Sequence, residues 1–137
     1  MRKKKLFCLT LLFISLSFGV HAQNNPKPFV MHTMYLNGSM ENQGTNLDSL
    51  LKVYKQNILD PNSYLASSKI IRHWWGHDSR EVIIITELKN LSDLEQAFQK
   101  QNELLRQYTN SNKNFARVWG QIFSPEHHSD EIYRVIE

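Results

Sequence analysis

The sequence contains a single cysteine, Cys8, and no apolar run of the length that a membrane-spanning helix needs. Without a second cysteine the chain forms no internal disulfide, so a hydrophobic core has to hold the fold together. The apolar run from Leu6 to Val20 has about 15 residues, whereas a helix that crosses a bilayer needs about 20. The chain also lacks a nucleophile elbow, a phosphate-binding loop, an HExxH motif and a recognisable carboxylate pair, so no common catalytic motif assigns a reaction.

Residues 1–22 have the three parts of a secretory signal peptide. A basic start, Met1-Arg2-Lys3-Lys4-Lys5, precedes the apolar run, and Val20-His21-Ala22 places small residues before the expected cut. Cys8 lies inside the apolar run rather than after it, so it is not positioned for lipid attachment. We therefore expect cleavage after Ala22 and a secreted or periplasmic protein; a retained membrane anchor is the alternative.

Cleavage changes the charge of the chain. Residues 1–22 carry four basic side chains and no acidic one, so the formal net charge falls from +3 to −1. A nearly neutral protein has no general attraction for nucleic acid or for an anionic membrane surface, and we expect neither as a partner. The remaining residues suffice for one core. We expect a flexible leader over residues 23–28 and a single domain over residues 29–137.

Hydrophobic periodicity predicts four strands, over residues 29–36, 70–75, 81–88 and 131–136. Apolar residues at helical spacing predict a helix from Leu47 to Ile58, for which Asn46 or Thr45 is the cap and Pro61 the stop. Residues 82–85, Val-Ile-Ile-Ile, are apolar on both faces. This pattern fits a central strand that is covered on both sides.

Two further helices follow the hairpin. Ser92 and Glu95 indicate a capping box at the start of a long helix, which Asn110–Asn114 ends. Residues 115–123 have the composition of a strand, but their apolar side chains follow the i, i+3, i+4, i+7, i+8 spacing of an amphipathic helix. Gly120 disfavours a helix by about 1 kcal/mol relative to alanine. The unbroken periodicity outweighs that cost, and we predict a short helix here.

The element order is strand, helix, strand, strand, helix, short helix, strand. It predicts an α+β fold of the ferredoxin-like type, with an antiparallel sheet and the helices on one of its faces. The other face would be apolar and bare, and monomers rarely leave a large apolar patch exposed. Pairing of two such faces about a two-fold axis removes the exposure. We therefore expect a homodimer.

Over residues 29–137 the chain resembles the dimeric α+β-barrel superfamily, whose members include antibiotic-biosynthesis monooxygenases, haem-degrading monooxygenases and NIPSNAP-like proteins. The resemblance rests on the element order, on the hairpin Trp74-Trp75-Gly76-His77-Asp78-Ser79-Arg80 and on the closing segment His127-His128-Ser129-Asp130-Glu131-Ile132-Tyr133. It implies a ligand site between the sheet and the helices or at the mouth of the barrel. A shared fold does not by itself assign a shared activity.

The haem-degrading branch uses an asparagine on the first strand, a tryptophan on a later strand and a histidine on the second helix. Asn37 matches the first position and Trp74 or Trp75 the second, but residues 91–109 contain no histidine. Haem ligation is therefore not carried over, and we expect no cofactor.

A metal site is one interpretation of the histidine-rich segments. The side chains that would meet at one end of the sheet are His73, His77, His127, His128, Asp78 and Asp130. No tight ligand motif is present, because His73 and His77 span a strand end and a turn rather than one helical face. The alternative places His127 and His128 in a solvated loop and His77 in a turn, and we assign no metal ligand.

The aromatic and charged residues of the hairpin are the best candidates for lining a ligand site. Trp74 and Trp75 are adjacent, so on a strand one is expected in the core and the other on the dimer side, where an indole would wall a pocket for a flat conjugated ligand. The further ligand-binding candidates are Tyr35, Arg72, His77, Arg80 and Tyr133. Cross-strand ion pairing is the alternative role for the arginines, and Asp78-Ser79-Arg80 is expected to shape the turn.

His32 and His73 are candidate catalytic residues because imidazole titrates near neutral pH and can transfer protons. Their alternative role is that of hydrogen-bonded core histidines. We expect an exported homodimer that binds a small apolar or aromatic ligand. The alternatives are a cofactor-independent monooxygenase, with His73 or His32 as the base, and a metal-binding protein that uses the histidine cluster.

Overall fold

The computed structural model describes residues 27–37, 46–73, 75 and 78–134, without the side chains of residues 124–127. The expected signal peptide and most of the leader lie outside the described residues. So do Trp74 and His77, and the side chain of His127. The sequence-based expectations for these residues stay predictions.

Four strands and three helices make up the described part of the chain. The strands are β1 (Pro28–Leu36), β2 (Leu65–Arg72), β3 (Glu81–Leu88) and β4 (Phe123–Arg134). The helices are α1 (Leu47–Tyr54), α2 (Leu94–Ser111) and α3 (Lys113–Ile122). A π-helical turn (Lys55–Leu59) extends α1, and a 3-10 turn (Leu91–Asp93) precedes α2. None of the helices within the described ranges combines the length and the apolar character needed to cross a membrane.

The strands form one antiparallel sheet in the order β2-β3-β1-β4. β1 pairs with β3 on one side and with β4 on the other, while β2 pairs with β3 alone. Combined with the order of elements along the chain, this topology is a ferredoxin-like α+β arrangement. The predicted fold class is confirmed, with β3 and β1 in the centre and β2 and β4 at the edges.

The two faces of the sheet differ in their cover. Along β3, buried residues alternate with half-buried ones, and the buried set (Val82, Ile84, Thr86, Leu88) faces the helices. We call this side the helix face. The other side, the open face, consists of Phe29, Met31, Thr33, Tyr35, Ser67, Lys69, Ile71, Glu81, Ile83, Ile85, Glu87, Ser129, Glu131 and Tyr133.

The main core lies between the helix face and the helices. Its buried members are Met34, Leu50, Leu51, Tyr54, Ile58, Leu59, Val82, Ile84, Phe115, Ile122 and Phe123. The indole of Trp119 stacks on Tyr54 at a centroid distance of 4.4 Å and on Phe115 at 5.4 Å. The contact of Trp119 with Tyr54 joins α3 to α1. The span of α3, Lys113–Ile122, confirms the helix predicted over residues 115–123, except that Phe123 already belongs to β4.

The start and the end of α1 follow the sequence signals. The side chain of Asn46 accepts a hydrogen bond from the N–H of Ser49 at 2.9 Å, which caps the helix as predicted. Pro61 follows the π-helical turn, where the missing N–H prevents further helix. Asn62 then connects this segment to α2, because its Nδ2 donates to the carbonyl of Ala97 at 2.9 Å.

Several boundaries differ from the sequence prediction. The long helix runs to Ser111 and the short helix begins at Lys113, so the break predicted at Asn110–Asn114 is Asn112 alone. β2 spans Leu65–Arg72 rather than residues 70–75, and β4 begins at Phe123 rather than at residue 131. Both are edge strands with many exposed side chains, so an apolar pattern does not mark their length. The predicted capping box is wrong: the N-cap of α2 is Asp93, and Glu95 accepts from Gln99 instead.

Candidate functional site

The register of the sheet sorts the candidate residues between its two faces. Tyr35 lies opposite Glu81 on the open face, while His32 lies on the helix face, which confirms that these β1 residues point to opposite sides. Tyr133 belongs to the open face and Arg72 to the helix face. Within one copy, Tyr35 and Tyr133 therefore lie on a different face of the sheet from Arg72.

Tyr35, His73 and Glu81 lie side by side at one end of the open face. The N–H of His73 donates to the carbonyl of Glu81 at 3.2 Å, which sets the two residues opposite each other beyond the end of β2. Nδ1 of His73 is 4.0 Å from Oε2 of Glu81. We call these three residues the polar end.

The ring of His73 is mostly shielded from solvent, with 16% of its side chain exposed. Its Nε2 atom is buried and has no hydrogen-bond partner among the described residues. A buried polar atom without a partner costs free energy, and a ligand group that bonds to it removes the cost. Of the described candidates, His73 is the one best prepared to receive a polar atom of a ligand.

Arg80 is held by the turn between β2 and β3. Its N–H donates to Oδ1 of Asp78 at 2.9 Å, and its guanidinium donates to both carboxylate oxygens at 3.0 and 2.8 Å. These bonds lower the pKa of Asp78 to about 2 and confirm the predicted turn-shaping role. The N–H of Leu36 donates to the carbonyl of Arg80 at 2.8 Å, which fastens the turn beside β1.

The centre of the open face is apolar. One row across the sheet contains Ile71, Ile83, Thr33 and Ser129, and the next contains Lys69, Ile85, Met31 and Glu131. The polar residues Ser129, Lys69 and Glu131 lie on the edge strands, so the apolar side chains occupy the middle of the face. Ile71 is 46% exposed. The core formed with the described helices lies on the opposite side of the sheet, so these helices leave this apolar centre open.

The far end of the open face is polar again. Oγ of Ser67 donates to Glu87 at 2.7 Å, and Nζ of Lys27 lies 3.3 Å from the same carboxylate. Both contacts lower the pKa of Glu87, and the hydrogen bond from the Ser67 hydroxyl has the larger effect. The hydroxyl of Tyr133 donates to Glu131 in the same region. The apolar centre separates Tyr133 from the polar end.

His32 has a carboxylate partner on the neighbouring edge strand. Its Nδ1 is hydrogen-bonded to Oδ1 of Asp130, and its ring centroid is 5.7 Å from that of His128. The side chains of His32 and Asp130 are 28% and 45% exposed, so the pair can be reached from solvent. An ionised carboxylate only accepts hydrogen bonds, so Nδ1 carries the proton and Nε2 keeps a lone pair in the neutral ring. Such an arrangement suits proton abstraction.

Arg72 is engaged by α1. Its Nη1 donates to Oδ1 of Asp48 at 2.6 Å, which joins the edge strand to the first turn of the helix. The ion pair therefore runs from strand to helix, and the cross-strand pairing considered as an alternative is wrong for this arginine.

Trp75 is 93% exposed. Because β2 ends at Arg72, the alternation that would bury one of two adjacent tryptophans does not extend to this residue. A core role is therefore wrong for Trp75, and its role in ligand binding stays a prediction.

Among the described side chains, no three histidine, cysteine, aspartate or glutamate residues are grouped so that they could hold a metal ion. The histidine cluster considered from the sequence is divided there, since His73 lies at the polar end and His128 beside His32 on the helix face.

The sequence patterns did not identify the partners of the two candidate histidines. Asp130 lies 98 positions from His32, and Glu81 meets His73 across the hairpin. The signal that identifies such partners is the pairing register of antiparallel strands, which follows only once both strand ends are known.

No protein-family model matches the chain, and no curated protein matches it at a significant level. A similar solved structure is the crystal structure of a conserved protein from Methanosarcina mazei Go1. The two superpose with a TM-score of 0.52 at 11% sequence identity, over 84% of this chain and 98% of that one. At this identity the likeness supports the fold alone: a small α+β domain with a four-stranded antiparallel sheet.

Proposed function

We propose that the protein is an exported homodimer of the dimeric α+β-barrel type, similar to antibiotic-biosynthesis monooxygenases and NIPSNAP-like proteins, and that it binds a small apolar or aromatic ligand. The observation that carries the proposal is the open face, whose apolar centre lies between two polar ends. An apolar centre with a polar rim is the common composition of a protein interface, and a large bare patch of this kind normally has a partner.

A second copy of the chain is the occupant that we propose for this face. Two-fold symmetry places the same patch of both copies face to face. Ile71, Ile83 and Ile85 of one copy would therefore pack against the same isoleucines of the other. At the far end Lys27 is already paired with Glu87 within one copy, so the dimer would not bury these two charges unpaired. Lys69 and Glu131 are exposed on the edge strands and would lie at the rim of the interface.

We place the ligand at the polar end, next to the apolar centre. The buried Nε2 atom of His73 offers one hydrogen bond, and Tyr35 lies on the same face. Ile71 and Ile83 supply apolar surface beside them. A flat conjugated molecule with one polar oxygen matches this combination.

Sedimentation equilibrium at micromolar concentration tests the dimer. Ile85→Glu introduces a charge at the centre of the open face and is expected to give monomers. Gln96→Glu introduces the same charge on an exposed position of α2 and is expected to leave the dimer intact. A wild-type protein that is monomeric throughout this range would contradict the proposal.

A fluorescence titration with 2-hydroxy-1,4-naphthoquinone tests the ligand site. His73→Phe keeps the ring volume and removes the hydrogen bond, so we expect the affinity to fall by about fivefold or more, in line with the value of one buried hydrogen bond. Unchanged affinity in this variant would show that the ligand does not bind at the polar end.

The second candidate function is a cofactor-independent monooxygenase, which the pairing of His32 with Asp130 favours. The base would remove a proton from a conjugated CH₂ group. Dioxygen would then take four electrons from the substrate, with one oxygen atom forming the new carbonyl group and the other leaving as water. Oxygen uptake with anthrone-type substrates tests this candidate: activity should disappear in His32→Ala, and no uptake above buffer across the substrates would contradict it.

A further inference from the structure

We propose that the outer edge of β2 binds an extended acidic segment of another protein, which joins the sheet as an additional strand. The segment would lie in the groove between β2 and α1. We call this the β2 groove; its lining consists of Asp48, Leu51, Lys52, Lys55 and residues 68–72.

The backbone of β2 has unused hydrogen-bonding groups along this edge. In an antiparallel pair, residues that bond to the partner strand alternate with residues whose N–H and C=O point away from it. His73 bonds to Glu81, so the alternation directs the groups of Arg72, Ile70 and Ser68 away from β3. Within the described residues no backbone group pairs with them. An edge of this kind is a template for an added strand.

The β2 groove has room and an apolar floor for side chains of such a strand. Its volume is about 590 Å³. Leu51 on the helix side is buried, and Ile70 on the strand side is half-buried. The side chains of Ser68, Ile70 and Arg72 all point to the helix face, so they stand in a row along the groove.

The rim of the β2 groove is basic. Its lining includes four cationic residues and one acidic residue, Asp48, which is engaged by Arg72. Asp60 lies just outside and bonds to Lys55 and to Ser68. Within the described chain the side chain of Lys52 makes no hydrogen bond or ion pair. The side chain of Lys69, on the open-face side, makes none either, although it lies near Glu87. The surplus charge at this edge is therefore positive.

The positions along the groove specify a sequence pattern for the partner. All neighbouring strands of the sheet are antiparallel, and we expect the same for the added strand. A residue opposite Ile70 would rest on the apolar floor, while the residues two positions before and after it would reach Arg72 at one end and Lys52 or Lys55 at the other. The pattern is acidic, any residue, apolar, any residue, acidic.

A second copy of this chain is a poor occupant of the same edge. Pairing of two β2 strands would bring two basic rims together, which costs Coulombic repulsion. A strand with carboxylates at alternate positions instead gains charge-assisted hydrogen bonds. The positive rim therefore selects the partner by its charge as well as by its extended form.

Fluorescence anisotropy with the purified protein and a labelled peptide, Gly-Glu-Thr-Val-Thr-Glu-Gly, tests the proposal. We expect binding that weakens with added salt. The peptide with lysine in place of both glutamates should bind at least about tenfold more weakly. Methylation of the valine nitrogen, which removes the donor facing β2, should also weaken binding about tenfold, whereas methylation of a threonine nitrogen, which faces away, should leave it within about twofold.

Two charge-reversal variants of the protein test whether the peptide binds in the β2 groove. Lys52→Glu should weaken binding of the glutamate peptide by about tenfold, and Lys113→Glu, the same change at an exposed position of α3, should leave it within about twofold. Absence of binding at millimolar peptide, equal binding of the lysine peptide, or equal loss in both variants would each overturn the proposal. These outcomes do not affect the dimer and ligand tests, which concern the open face.

Discussion

Oδ1 of Asp130 accepts a hydrogen bond from Nδ1 of His32, although 98 positions separate the two residues in the chain. The pairing of β1 with β4 sets them opposite each other on the helix face. Both side chains retain contact with solvent. In such a setting a pair contributes little to stability, and its main effect is to fix the orientation and tautomer of the imidazole.

We therefore expect Asp130→Ala to change the tautomer of His32 without greatly changing stability. Loss of the carboxylate should move the ring towards the Nε2-protonated form. In long-range ¹H–¹⁵N spectra the shift typical of a protonated nitrogen should then pass from Nδ1 to Nε2. The free energy of unfolding should fall by less than about 1 kcal/mol. Glu131→Ala alters the neighbouring residue on the opposite face and should leave the His32 shifts unchanged; equal changes in both variants would contradict the pairing.

The central strands could be predicted from the sequence, and the edge strands only in part. β1 and β3 are rich in apolar residues, and their observed bounds agree with prediction to within a residue. β2 begins with Leu65-Ala66-Ser67-Ser68-Lys69, and β4 contains Ser124-Pro125-Glu126, which lack an apolar pattern. An edge strand buries fewer side chains and tolerates proline, so hydrophobic periodicity identifies only a part of it.

The candidate site shows the same division between local and long-range information. The parity of β1 correctly placed His32 and Tyr35 on opposite faces, because alternation is a local property. The separation of Arg72 from Tyr35 depended on the register of β2 against β3, and the exposure of Trp75 on where β2 ends. Register is a long-range property: a slip of one residue moves every side chain of a strand to the other face, and no local pattern within that strand reveals it.

The buried side chain of Asn62 links the segment after α1 to α2. It is 2% exposed, donates to the carbonyl of Ala97 and accepts from the N–H of Tyr64 at 3.2 Å. Asn62→Ala leaves these buried groups without partners, and we expect the free energy of unfolding to fall by about 1–3 kcal/mol. Urea denaturation measures the change. Asn102→Ala, at an exposed site of α2, should leave stability within about 0.5 kcal/mol, and a similar loss there would contradict this role.

Gly120 lies within α3 although glycine is a poor helix former. A Cβ atom at this position would meet nothing within 4 Å. Gly120→Ala should therefore raise the free energy of unfolding by about 0.5–1 kcal/mol, because it reduces the conformational entropy of the unfolded chain. Thermal and urea unfolding measure the gain, and Ala116→Gly in the same helix should change stability in the opposite direction. A loss of stability in Gly120→Ala would show that this part of α3 is not helical in solution.

Tyr54 makes stability depend on pH in the alkaline range. Its ring is buried against Trp119, and burial raises the pKa of its hydroxyl to about 12, although the hydrogen bond donated by Gln101 acts in the opposite direction. The folded state thus keeps the hydroxyl neutral, while in the unfolded chain it ionises near its ordinary pKa of about 10. The contribution is fully present below pH 10 and is lost as the pH rises towards 12.

The variant Tyr54→Phe isolates this effect, because it has no hydroxyl at position 54 and keeps every other titrating group. We expect the stability difference between wild type and Tyr54→Phe to shift by about 1.3 kcal/mol between pH 9 and pH 11, against the wild type. Urea denaturation at a series of pH values measures it. All the other tyrosines and lysines titrate in both proteins, so their contributions cancel in the difference. Parallel curves over this range would mean that the Tyr54 hydroxyl ionises as easily in the folded protein as in the unfolded chain. The hydroxyl would then not be buried against Trp119.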